Sequence, residues 1–307
     1  QTYYKDASYE ISVRKAEADP AACSVSMTSS ATLLDISATG SYNVTAGTGF
    51  GIDVVLVDEN GNPMPDADLD VMVGGGSLTA SYDSPSDTFS CVGETGDYTT
   101  ARTYLVTLSV ASIGIDEFDL VILPEDTPSD TESDVTVNGS ADAVAGVNAS
   151  VTVTFKDRFG NTIEYDSVVG GIDGSTDPLT GDSGTYSGSL PTPTVSGSYS
   201  LEMVGTLDGT SYTITRTVSV LAGPVVSGTV LTPSVFAATE TTTLTGTLAD
   251  MYDNIPLCGV GSLTLSFTDD YATSSSCTCS DSTYICDIVH DTGCTAPSEE
   301  QDIYAWL

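Results

Sequence analysis

The sequence predicts an all-β chain, and three observations predict it. Ser and Thr make up about a quarter of the 307 residues, alongside many Val and Gly and few strong helix formers. Runs such as Val151-Thr-Val-Thr-Phe155 and Tyr212-Thr-Ile-Thr alternate apolar and polar residues with period two, the mark of a half-buried strand. No long stretch carries the 3.6-residue apolar period of an amphipathic helix.

The opening segment, residues 1–22, reads as a strand followed by a linker. Tyr9, Ile11 and Val13 share one face of a strand that ends at Arg14, and Pro20 closes the segment. Gln1 is an unexpected translation start, so a cleaved leader is expected ahead of it.

Three copies of one unit follow, at 23–128, 129–223 and 224–307. Each carries a strand that runs into an acidic turn. The first copy has Val54-Val-Leu-Val-Asp58-Glu-Asn-Gly61-Asn62-Pro-Met64, and the second has Val153-Thr-Phe-Lys-Asp157-Arg-Phe-Gly160-Asn161-Thr-Ile163. The third has Leu248-Ala-Asp250-Met-Tyr-Asp253-Asn254-Ile-Pro256. Gly or Asp before the Asn allows the left-handed backbone that reverses a hairpin. About forty residues later comes a second mark. In the second copy it is Gly184-Thr-Tyr186, then Gly197-Ser-Tyr199-Ser-Leu201; the expected counterpart in the first is Gly96-Asp-Tyr98, then Tyr104-Leu-Val106. Closing strands end near a linker proline: Phe118-Asp-Leu120-Val-Ile122 before Pro124, and Val218-Ser-Val220 before Pro224.

These marks resemble immunoglobulin-like repeats of the filamin and invasin type, over most of 24–223 and less completely over 224–307. The resemblance implies tandem immunoglobulin-like β-sandwich domains with an N-terminal strand extension, of the sort found in cell-surface stalks, adhesins and fibres. It implies no chemistry, because a fold does not carry an activity. The only Trp is Trp306, so the core Trp of antibody domains is missing.

Charge narrows the function classes. The net charge of −36 reflects seven basic residues against 43 acids, which excludes a nucleic-acid partner and argues against an anionic membrane surface. No run approaches the roughly 20 apolar residues of a membrane-spanning helix. An enzyme is not expected: the lone His290 sits among cysteines, and Gly74-Gly-Gly76 lacks the Lys and helix of a phosphate loop. No cofactor or metal is expected. The turn Asp58-Glu-Asn-Gly-Asn62 has some of the character of a Ca2+ loop but lacks the downstream Glu, so a structural hairpin is favoured.

The seven cysteines are Cys23, Cys91, Cys258, Cys277, Cys279, Cys286 and Cys294. Disulfides are favoured over zinc, which prefers paired C-x2-C knuckles with His partners; an oxidising, extracellular setting follows. Cys23 and Cys91 are the only pair available to the first repeat, and two bridges are expected within 258–294. The sequons at Asn43, Asn138 and Asn148 are candidate N-glycan sites.

The ending, with Tyr304 and Trp306, reads as the start of a late core strand with no closing strand after it. The opening strand has no sandwich of its own, and it holds Lys5, Arg14 and Lys15, whereas no Lys or Arg follows Arg216. About eight linker residues span at most roughly 28 Å, too short to carry that strand past two sandwiches. The expected partner is therefore another copy, joined by Tyr9, Ile11, Val13, Arg14 and Lys15 of one copy to Tyr304 and Trp306 of the next. The first functional reading is a structural subunit of an extracellular, glycosylated, head-to-tail filament. The alternative is a secreted or cell-surface adhesin stalk that binds a receptor or glycan through its loops.

Overall fold

The computed structural model describes residues 16–224 apart from 30–31, 35–40 and 141; beyond 224 it describes 227–228, 242–255, 264–267, 272–273, 277–280, 283–290 and 303–306. Those residues form strands and turns without a helix. Contacts group the chain into two compact units, Gln1–Thr127 with Lys156–Ile163, and Pro128–Phe155 with Glu164–Leu307.

The first repeat contributes ten strands: β1 (Ser24–Ser29), β2 (Thr32–Leu33), β3 (Ser41–Thr45), β4 (Phe50–Val55), β5 (Leu69–Val73), β6 (Gly76–Leu78), β7 (Ala80–Asp83), β8 (Thr88–Gly93), β9 (Arg102–Val110) and β10 (Ile113–Leu123). They make two sheets, ordered β2-β1-β4-β8-β7 and β3-β10-β9-β5-β6. The period-two pattern sends alternate residues inward. Met27, Phe50, Ile52 and Val54 from one sheet share a buried cluster with Val71, Val106, Leu108, Leu120 and Ile122 from the other. β3 pairs parallel to β10, so the chain changes sheets between β2 and β3.

The second repeat contributes β11 (Asp134–Val137), β12 (Asp142–Val144), β13 (Ala149–Thr154), β14 (Ser167–Ile172), β15 (Asp177–Asp182), β16 (Thr185–Leu190), β17 (Gly197–Leu207) and β18 (Thr210–Leu221). Their ladder is continuous, β11-β13-β16-β15-β14-β17-β18-β12. β15 makes the difference: its first half pairs with β14 and its second half with β16. In the first repeat the matching stretch is split into β6 and β7, which keeps two sheets apart.

The third repeat contributes β19 (Ser227–Gly228), β20 (Thr242–Gly246), β21 (Leu248–Ala249), β22 (Thr264–Phe267), β23 (Ala272–Thr273), β24 (Cys277–Ser280), β25 (Thr283–His290) and β26 (Ile303–Trp306). β25 is its hub, pairing with β20, β23 and β24. β26 pairs with β22, placing Tyr304 opposite Ser266 and Trp306 opposite Thr264.

Two expectations are corrected. Cys23 and Cys91 are free thiols, not a bridge. β4 lies between β1 and β8, and Cys91 sits opposite Ile52 while Cys23 precedes the residue opposite Val55. Two strand spacings of about 4.8 Å and several residues of rise at about 3.3 Å separate them, beyond the roughly 7 Å a bridge tolerates between Cα atoms. Burial, assisted by the Asp53 carboxylate, pushes the Cys91 thiol up to about 11, so it behaves as a small core hydrophobe. The second correction concerns Gly96-Asp-Tyr98. It falls in the loop before β9, where Tyr98 packs on Phe50 and Tyr104; the residue matching Tyr186 is Phe89, opposite Val54 as Tyr186 is opposite Val153.

Tyr186 explains its own motif. Its phenol donates to the Tyr165 carbonyl at 2.8 Å and accepts the Tyr165 N–H at 2.7 Å, binding both backbone groups of that buried residue. In the third repeat Cys277 and Cys286 are directly opposite on β24 and β25 and are bridged, and Cys279 is also disulfide-bonded. Cys258 and Cys294 lie outside the described residues.

Candidate functional site

The three acidic turns fold into one repeated device. In each, the Asp carboxylate turns inward and Oδ1 accepts the N–H groups two and four residues on. For Asp58 these are Asn60 at 2.9 Å and Asn62 at 2.8 Å; for Asp157, Phe159 and Asn161, both at 2.9 Å; for Asp250, Tyr252 at 2.8 Å and Asn254 at 2.9 Å. The Asn side chain donates back to Oδ2, at 3.0, 2.8 and 2.8 Å respectively. Backbone bonds close each ring: Asp58 N–H to Asn62 carbonyl, Asp157 to Asn161, Asp250 to Asn254. A short polar side chain that binds its own backbone in this way specifies a turn without help from the core.

All three carboxylates are at most 1 % exposed. A buried charge is tolerable only when donors surround it. The Asn62 amide, then the N–H groups of Asn62, Asn60 and Ala16, hold Asp58 below the ordinary carboxylate value. Burial alone would raise Asp250, but the Asn254 amide and the N–H groups of Gly223, Asn254 and Tyr252 outweigh it and bring it down to about 2. These oxygens face N–H groups, which a bound cation would have to displace. The hairpin reading of the Asp58 turn is the one that its geometry fits.

The turn also fastens what comes before it. In the first unit, Oδ2 of Asp157 accepts the N–H of Glu125 at 3.1 Å. In the second unit, Oδ2 of Asp250 accepts the N–H of Gly223 at 2.7 Å. Both donors stand two residues past a closing strand, β10 or β18. The Asn side chain reaches the loop ahead of the penultimate strand. Asn161 donates to the Thr99 carbonyl at 2.7 Å and accepts the Ala101 N–H at 2.8 Å; Asn254 donates to the Thr194 carbonyl and accepts the Ser196 N–H, both at 2.7 Å. One amide thus replaces a peptide partner for both groups of the loop.

An aromatic ring completes each clamp. Phe159 and Tyr252, two residues after the Asp, lie on Gly47 and Gly146, both at positive φ. A Cβ at Gly47 would come within 2.4 Å of the Phe159 ring, and one at Gly146 within 2.3 Å of Tyr252. The same loops hold the glycines: Gly47 N–H donates to the Tyr98 carbonyl and Gly146 N–H to the Pro193 carbonyl. Arg158 covers the outer face of Phe159 at 4.7 Å and pairs with Glu125 at 2.9 Å.

The acidic turns are legible in the sequence, but their partners are not. Thr99, Ala101, Thr194 and Ser196 contribute backbone groups, which leave no residue signature. The Ala-Gly dipeptides at 46–47 and 145–146 were a usable signal, at matching distances before their turns.

The remaining candidate residues are scattered. Asn43 is exposed on β3, and Asn148 is exposed just before β13. Asn138 is in a turn at positive φ, where its Oδ1 accepts the Ser150 N–H and its Nδ2 donates to the Asp142 carbonyl. Tyr9, Ile11, Val13, Arg14 and Lys15 lie outside the described residues. Among the described residues no group of three metal-binding side chains comes together.

No protein-family model and no curated protein matches the chain. Solved structures do match. The chain is similar to the Escherichia coli adhesin FdeC, with 21 % identity, 91 % of each chain covered and a TM-score of 0.50. It is similar to invasin, a bacterial integrin-binding protein, at 18 % identity and a TM-score of 0.44, covering 92 % of this chain and 56 % of that one. Yersinia pseudotuberculosis InvD matches at 16 % identity, with 89 % and 84 % covered and a TM-score of 0.41.

Proposed function

We propose that the chain, a tandem array of immunoglobulin-like repeats with the fold found in invasin-type proteins, is a load-bearing spacer of a cell-surface or secreted adhesive structure. The observation that carries this reading is the recurrence of one clamp, in which a buried Asp and its Asn partner hold a linker amide and a neighbouring loop. Repeats fastened by buried, fully hydrogen-bonded Asp and Asn side chains rather than by mobile surface ones suit a part that transmits tension. The Cys277–Cys286 bridge supports an oxidising, extracellular setting. Antibody labelling of intact source cells tests the placement: label at the surface or in the medium is expected, and label that appears only after permeabilisation refutes it. Glycans at Asn43, Asn138 and Asn148 belong to the same proposal, and intact-mass measurement of native material reads them directly.

A second reading is the head-to-tail filament, and one observation favours it. β9 and β17 have partners on both edges, whereas β26 pairs only with β22 among the described residues. The edge beside β26 matches the place of β10 and β18. In the filament reading, the opening strand of another copy fills it. Deleting residues 1–14 should leave monomers where the full chain forms filaments; filaments from the deleted chain would rule donation out.

A further inference from the structure

The Asp157 and Asp250 clamps share a framework and differ in their skin. Four surface positions surround each: the residue after the glycine under the ring, the middle residue of the gripped loop, and the residues that follow the Asp and the Asn. Around Asp157 these are Thr48, Thr100, Arg158 and Thr162. Around Asp250 they are Val147, Val195, Met251 and Ile255. The framework does not ask for the change, since both turns make the same hydrogen bonds. Nor does burial: Val147, Val195, Met251 and Ile255 are 54, 60, 70 and 46 % exposed. Bonds of the clamp gather them in one place. Gly146, beside Val147, lies under Tyr252, and Thr192 donates to the Val147 carbonyl at 3.0 Å. Asn254, beside Ile255, holds the backbone on both sides of Val195. The ion pair of Arg158 with Glu125 gives way to Met251 and Gly223.

A contiguous apolar patch that serves no core marks a contact surface. With the exposed part of Tyr252, this one offers about 500 Å2, a size at which the largest patch of a monomer is often functional. Area and charge choose its occupant. A second copy would bring only an equal face, short of the roughly 800 Å2 per partner of a standard stable interface. It would also bring the same net charge of −36. Asp253 is exposed in the turn itself, and no Lys or Arg follows Arg216. A partner that carries cations gains where a copy loses. We propose that this face docks a different protein, through an apolar segment flanked by Lys or Arg. Val147, Val195, Met251 and Ile255 supply the contact area, and the acidic surroundings steer and orient the basic flank.

The probe is a fluorescent amphipathic peptide of Leu and Lys, titrated with the full chain at physiological ionic strength and read by anisotropy. It should bind the parent chain. Val147→Thr, Val195→Thr, Met251→Gln and Ile255→Thr together should weaken binding at least about tenfold, with net charge unchanged. A peptide of Leu and Glu in the same pattern should not bind. All four residues are exposed, so the thermal midpoint of the quadruple variant should match the parent's. If it falls, the reverse exchange decides: Thr48→Val, Thr100→Val and Thr162→Ile with Arg158→Met should raise the stoichiometry from one peptide per chain to two, and Arg158→Gln alone should not. Equal affinity for the parent and the quadruple variant overturns the proposal, as does equal binding of the Leu and Glu peptide. Self-association of the parent that the quadruple variant abolishes gives the face to a second copy and overturns it too.

Discussion

Replacing Asp250 with Asn separates the turn from the clamp. Oδ1 accepts Tyr252 and Asn254 N–H groups, and an Asn carbonyl oxygen in that place accepts them too. Oδ2 accepts the Gly223 N–H and the Asn254 side-chain amide. An Asn amide nitrogen there sets a donor against two donors. Hydrogen bonds to a charged acceptor contribute about 1.5–3 kcal/mol each, so the two losses give a ceiling of about 3–6 kcal/mol. Water reaches half-buried Gly223 in the variant and recovers part of this, which places the expected cost at about 3 kcal/mol. Urea unfolding of the full chain, followed by the fluorescence of its single Trp306, reads the third repeat. Amide exchange gives the finer result. Gly223 and Ser196 should exchange about ten to a hundred times faster, with Tyr252 and Asn254 changing less. A stability change below about 1 kcal/mol, or equal acceleration at all four amides, would refute the assignment of Oδ2 to the clamp.

Acid should open the same sites. Asp250 is depressed from an ordinary 3.8 to about 2, and Asp58 is depressed too, so their stabilisation is complete above pH 4 and is lost as pH falls toward 2. Thermal midpoints across that window should fall in the parent chain and fall less in Asp250→Asn; parallel slopes would count against the carboxylate. Gly146→Ala places a Cβ against Tyr252 at positive φ and should destabilise by about 2 kcal/mol, and Gly146→Ala with Tyr252→Ala should recover the steric part. Calorimetry of the double variant showing no recovery would remove the ring from the clamp. Tyr186→Phe removes the two phenol hydrogen bonds to the buried Tyr165 backbone and should cost about 2–4 kcal/mol in urea unfolding. A cost below about 0.5 kcal/mol would show that water replaces the phenol.

Much of this molecule follows from local chemistry. Period-two alternation placed β10, β13 and β18, because a strand with one buried face must alternate. The Asp-x-x-Gly-Asn spacing placed the hairpins, because an Asp side chain can bind only the amides within its short reach. Tertiary structure decided what those elements meet. Nothing local distinguishes an Asp whose second oxygen faces water from one that holds Gly223 or Glu125. Register decided that Cys23 and Cys91 stay apart while Cys277 and Cys286 join, since a strand between two residues is invisible in their spacing. It also gave the place of Tyr186 to Phe89 in the first repeat, where no phenol is available to bind a backbone peptide. Side-chain pattern writes strands and turns into the sequence; backbone amides and carbonyls, identical in every residue, acquire their partners only when the sheets are stacked.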